Sequence, residues 1–156
     1  MTIPILPVQT DPLIDLKILD LLPLRVANVT SVRWEEGRLN PTAYRVSYQE
    51  YWDAIGGPRY NASRVFLLDL AGINRANPNF AVTRHLVKRC DVWLDSGGRE
   101  PEEVMDGYML DAERVVAGTK TLASLEAYAD LYALSGEVLP CIDWDGRVVW
   151  GEPREG

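Results

Sequence analysis

The strongest constraint on this chain is an alternation. From Arg64 onward, short apolar runs that end in an acid or a glycine take turns with longer amphipathic stretches. The runs are Arg64-Val-Phe-Leu-Leu-Asp69, Asp91-Val-Trp-Leu-Asp95, Arg114-Val-Val-Ala117 and Val138-Leu-Pro-Cys-Ile-Asp143. Unbroken apolarity over about 4–8 residues is the pattern of a strand buried on both faces. Between the runs the period changes to that of a helix. Pro78 stands in a first helical turn ahead of Phe80, Val82, Leu86 and Val87. Pro101-Glu-Glu-Val104 opens a second helix with acids where the dipole favours them. Leu122 to Leu134 forms a third, ended by Gly136. Asp145-Gly146 is a tight hairpin turn into Arg147-Val-Val-Trp150.

Upstream the pattern is less regular. Residues 1–16 carry several prolines and are expected to form an irregular arm, with a folded domain over 17–151 and a tail over 152–156. Lys17-Ile-Leu-Asp20 has the pattern of a short strand, and the β-branched stretch Arg25–Arg33 that of a second. Gly37–Pro41 is expected as a loop. Ser47-Tyr-Gln-Glu50 fits a capping box, opening a helix with Tyr48, Tyr51, Trp52 and Ile55 on one face. Strands alternating with helices imply an α/β fold, a parallel sheet covered by helices. Two architectures fit: a parallel TIM-barrel-like (β/α) arc truncated to about five βα units, or an open doubly wound flavodoxin-like sheet.

Composition narrows the function. Of 156 residues 47% are hydrophobic, enough for one domain with a real core. Lys and Arg total 16 against 23 acids, a net charge of −7, which argues against a nucleic-acid partner because phosphate tracking needs a basic surface. No apolar run approaches the roughly 20 residues that cross a bilayer. The start, Met1-Thr-Ile-Pro, has no basic leader, so no membrane partner and a cytoplasmic setting are expected. Cys90 and Cys141 lie far apart and His85 is the one histidine, so neither a zinc site nor another metal site is expected. No cofactor motif is present either.

In both architectures function gathers at the C-terminal ends of the parallel strands. Those positions hold Asp20, Asp69, Asp95-Ser-Gly-Gly-Arg99, Gly118-Thr119 and Asp143. Acids at so many strand ends point to a functional site, although aspartate also favours caps and loops. Gly97-Gly98 and Gly118-Thr119 each precede an expected helix. Glycine lets backbone N–H groups approach an anion, so the two turns form a candidate phosphate site, with tight packing as the alternative.

These residues resemble the isomerase/cyclase barrel family of histidine biosynthesis (the HisA/HisF family), and within it proteins associated with genes for one-carbon carrier cofactors. Ile18-Leu-Asp20-Leu with Arg25-Val resembles the first strand and hairpin. Phe66-Leu-Leu-Asp69-Leu-Ala-Gly72 looks like the second strand and Val92-Trp-Leu-Asp-Ser-Gly97-Gly98-Arg99 the third. Arg114-Val-Val-Ala-Gly118-Thr119 looks like the fourth, and Cys141-Ile-Asp143 with Asp145-Gly146-Arg147-Val the fifth. The resemblance implies an aldose–ketose isomerase on a phosphorylated sugar or phosphoribosyl substrate. Asp20 and Asp143 would be its acid and base, Gly97, Gly98, Gly118 and Thr119 its phosphate ligands, and Arg99 and Asp69 its substrate contacts. A full barrel of this kind needs about 250 residues. A partner is therefore expected, either further copies of the chain or a separate chain supplying the remaining strands. A non-catalytic phosphate-binding or assembly subunit is the alternative.

Overall fold

Alternation of buried and half-buried residues along Arg64–Asp69 and Asp91–Asp95 makes these segments strands between two different environments. They sit mid-sheet in a computed structural model that describes residues 5–9, 27–29, 32–41, 45–46, 64–88 and 90–151. In chain order the strands are β1 (Ile5–Gln9), β2 (Ala27–Val29), β3 (Val32–Glu35), β4 (Arg38–Pro41), β5 (Arg45–Val46), β6 (Arg64–Asp69), β7 (Asp91–Asp95), β8 (Arg114–Gly118) and β9 (Val138–Cys141). The helices are α1 (Leu70–Arg75), α2 (Phe80–Val87), α3 (Pro101–Met109) and α4 (Leu125–Leu134).

The protein is α/β, with a parallel sheet flanked by helices. The main sheet has the order β5-β2-β1-β6-β7-β8-β9. β1 is parallel to β6, and β6 through β9 are parallel to one another. The parallel strands therefore follow one another across the sheet in chain order. β2 and β5 extend the sheet antiparallel beyond β1. One row of strand residues, Val65, Leu67, Val92, Leu94, Val115, Ala117 and Val138, packs with Leu86 of α2, Val104 of α3 and Ala127 and Leu131 of α4 in a single core. Alternate positions such as Phe66, Leu68 and Trp93 point to the other face and are half-buried. At the N-terminal ends of the strands, Arg64 donates through Nε and Nη2 to Glu113, both at 2.6 Å. Trp93 Nε1 donates to the same carboxylate at 2.8 Å, so three adjacent strands are tied at that end.

Several expectations are corrected. The arm over 1–16 contains β1, which pairs with β6 from Ile5 opposite Phe66 to Val8 opposite Asp69. Its proline obscured it. β2 reaches only Val8 and Gln9, so Ile5–Pro7 has no partner on that side among the described residues, a setting in which a strand accommodates proline. The single strand expected over 25–33 is two. Ala27–Val29 lies in the main sheet, whereas Val32–Glu35 pairs with Arg38–Pro41 in a separate hairpin, so the loop expected at Gly37–Pro41 is mostly strand. Glu36 and Gly37 both take positive φ, 49° and 74°, the turn that matches strand twist. Leu70–Arg75, to which the sequence pattern assigned no element, is a helix. The return leg Arg147–Trp150 forms no strand, holding one bridge between Trp144 and Val148. The expected strand Lys17–Asp20, the helix beginning at Ser47 and the tail 152–156 lie outside the described residues. No helix among the described residues is long and apolar enough to cross a membrane.

Candidate functional site

The C-terminal ends of β6, β7, β8 and β9 meet on one rim, and the expected acids stand there. Asp69 closes β6 and is buried. Its Oδ1 accepts from Gly72 N–H at 3.0 Å and its Oδ2 from Asn79 N–H at 2.5 Å. Burial pushes its pKa up to about 6, against the pull of those backbone donors. Both oxygens are engaged, so the residue expected to touch substrate instead caps α1 and fixes the entry to α2.

Asp95 closes β7 and is also buried. Its Oδ1 accepts from Gly97 N–H at 3.0 Å. Burial, opposed by that bond and assisted by the charges of Asp143 and Asp69, raises its pKa to about 7. The sequence marked Asp95 as a strand end and gave it no site role. Its signal, an acid followed by Ser-Gly-Gly, was taken up by the glycines. Asp143 follows β9 and is half-buried. Burial raises its pKa, while Lys120 N–H, the Cys141 thiol and the Lys120 charge lower it. Lys120 N–H donates to Oδ2 at 2.9 Å. Gly118 makes room for that oxygen, since a Cβ there would lie 2.8 Å from it. The Cys141 thiol is pushed up to about 12, first by burial and then by the two aspartates, so it stays protonated.

The expected phosphate ligands are on this rim, but two of their N–H groups are committed within the fold. Gly97 N–H serves Asp95, and Thr119 N–H donates to Cys141 C=O at 3.0 Å. The N-terminus of α3 is occupied by the chain itself: Glu103 Oε2 accepts from Arg99 N–H at 2.7 Å and Glu100 N–H at 3.3 Å. Gly97 has φ +69°, and a Cβ there would stand 2.5 Å from the Gly72 backbone. The glycine therefore lets α1 pack on the loop after β7, which is the packing alternative. Arg99 donates to Gly97 C=O at 3.0 Å, and its own carbonyl accepts from Ala123 N–H at 2.9 Å, so the loops after β7 and β8 are joined. Asp20 lies outside the described residues.

Two cavities adjoin the rim. One of about 500 Å³ lies between α4 and β9, walled by Leu122, Leu125, Tyr128, Ile142 and Trp150. The other, about 560 Å³, lies between the β3–β4 hairpin and the segment after β9, with Trp34, Asp145, Arg147 and Trp150 on its walls. Among the described residues no group of three or more His, Cys, Asp or Glu is placed to hold a metal. Comparison of the chain with protein-family models, with curated proteins and with solved structures finds no match.

Proposed function

We propose that this chain is an arc of a parallel (β/α) barrel carrying an acid–base isomerase site, HisA/HisF-like, for a phosphorylated sugar or phosphoribosyl compound. One observation carries the reading: Asp95 and Asp143 share a rim, one buried with a pKa near 7 and the other more open. A carboxyl on this rim whose pKa burial raises can hold and release a proton closer to neutral pH than a free aspartate can. Asp143 is the group that meets substrate. The charge of Asp143 in turn helps the buried Asp95 keep its proton. Asp20, which follows the first strand in sequence, is the second transfer group of this reading. Strands running in chain order support a barrel arc over a flavodoxin-like sheet, whose order reverses at a switch point.

Phosphate is held in this reading by Arg99 and Lys120, the cations on the two joined loops, and by whichever glycine N–H groups stay open. The commitment of Gly97 and Thr119 favours a second reading, an assembly subunit without turnover. Proton NMR in D2O over a panel of ribose, ribulose and phosphoribosyl phosphates separates the two. Isomerisation with deuterium entering at the carbon next to the carbonyl is expected, and Asp143→Asn should lower it by about 10²–10⁴-fold. No incorporation by folded protein on any member of the panel leaves the assembly subunit.

A further inference from the structure

The segment after β9 leaves the sheet at Ile142, turns at Asp145–Gly146 and returns to Gly151. Trp144 to Arg147 are exposed, so burial does little to hold the turn. Its two legs converge on one residue of the neighbouring loop. Asp143 N–H donates to Thr119 Oγ1 at 3.0 Å, and that hydroxyl donates to Val149 C=O at 2.8 Å. Gly151 N–H donates to Thr119 C=O, and Thr119 N–H to Cys141 C=O, each at 3.0 Å. Every polar group of Thr119 is thus used to join β8, β9 and both legs of the turn.

We propose that Thr119 is a positioning residue for Asp143, clipping both legs of the turn to the end of β8 and so holding the carboxyl in its seat. This rests on the reading of Asp143 as the working group. The seat is built by the two residues flanking the clip: Gly118 provides the space and Lys120 N–H the donor. The groups facing the carboxyl are Asp95, the Cys141 thiol and Lys120. A hydroxyl suits this place because it accepts from one leg and donates to the other. Valine keeps the shape of threonine and loses both bonds, whereas serine keeps both bonds and loses a methyl.

The test is the carboxyl 13C titration of Asp143, with amide hydrogen exchange at Asp143, in wild type, Thr119→Val and Thr119→Ser. Thr119→Val should move the titration to lower pH, toward the ordinary carboxylate range, because a carboxyl released from its seat gives up the burial that raises it. It should also speed exchange by about tenfold, the loss of roughly one hydrogen bond. Thr119→Ser should restore both to within about twofold. An unshifted titration in Thr119→Val, or a Thr119→Ser protein that behaves like it, overturns the proposal. Should Thr119→Val fail to fold, the wild-type hydroxyl proton decides: slow exchange with a cross-peak to the Asp143 amide is expected, and exchange as fast as in free threonine overturns it. None of these measurements uses substrate, so the clip and the isomerase reading fail separately. Where turnover is observed, Thr119→Val should lower kcat and leave KM nearly unchanged.

Discussion

At the residue scale, the acids on the rim make stability depend on pH in a definite direction. The pKa values of Asp95 and Asp69 rise on folding, to about 7 and about 6, so between pH 4 and these values the folded chain binds more protons than the unfolded one. The stability these two groups contribute is therefore fully present below the unfolded carboxylate pKa and is lost as pH rises from about 4 through their folded values, at up to about 1.4 kcal/mol per unit for each group. Thermal denaturation should give a higher Tm at pH 5 than at pH 8. Asp95→Asn keeps an acceptor for Gly97 N–H and removes the charge, so its Tm should vary less across that range. A wild-type Tm that climbs steadily from pH 5 to pH 8 would refute this. The sequence made these acids visible and hid their duties. That Asp69 caps a helix depends on Gly72 and Asn79, within ten residues, and a local pattern can carry it. That Thr119 holds Asp143 depends on partners 24 and 30 residues away, which spacing does not encode.

At the element scale, periodicity fixed what local pattern can fix. β6, β7, β8, α3 and the body of α4 follow from unbroken apolar runs and helical stripes, and each is present. β1 was hidden by Pro7, since proline argues against a strand unless an edge accommodates it. α1 was hidden by its shortness: six residues hold too little period to see. The glycines were legible as special, but their purpose was not, because close approach and anion binding ask the same thing of a backbone. A substitution separates these uses. Gly97→Ala forces a Cβ onto the Gly72 backbone at 2.5 Å with φ +69°, and should destabilise the protein by about 2–4 kcal/mol in urea denaturation. Gly136→Ala, where nothing lies within 4 Å, should be neutral or stabilise by up to about 1 kcal/mol. Equal effects at the two sites would contradict the packing role of Gly97.

At the scale of the whole molecule, the sequence implied parallel strands and acids at one end, and the described strands run that way. It also implied a partner. Beside β9, Leu125 is 70% exposed, Ile142 68% and Trp150 57%, next to the cavity under α4. These exposed apolar groups are expected to bind a second copy of the chain. Sedimentation at micromolar concentration should show a species heavier than the 17.5 kDa chain, and Leu125→Lys with Ile142→Lys should return it toward that mass. A folded wild type that sediments as a monomer would refute the association.

The way β9 ends the sheet limits what can be added along its outer margin. Thr119 N–H donates to Cys141 C=O, so Cys141 faces β8 and, by alternation, Val138 and Pro140 face outward. Val138 N–H is taken by Ser135 C=O at 3.5 Å, and proline has no N–H. The outer margin of β9 therefore offers carbonyls and no amide protons. A strand laid along it could give hydrogen bonds but receive none, which protects the margin against runaway sheet growth in a concentrated cell. Growth of the sheet by a further strand is thus disfavoured at this margin, and the apolar groups exposed beside it are the side chains of Leu125, Ile142 and Trp150.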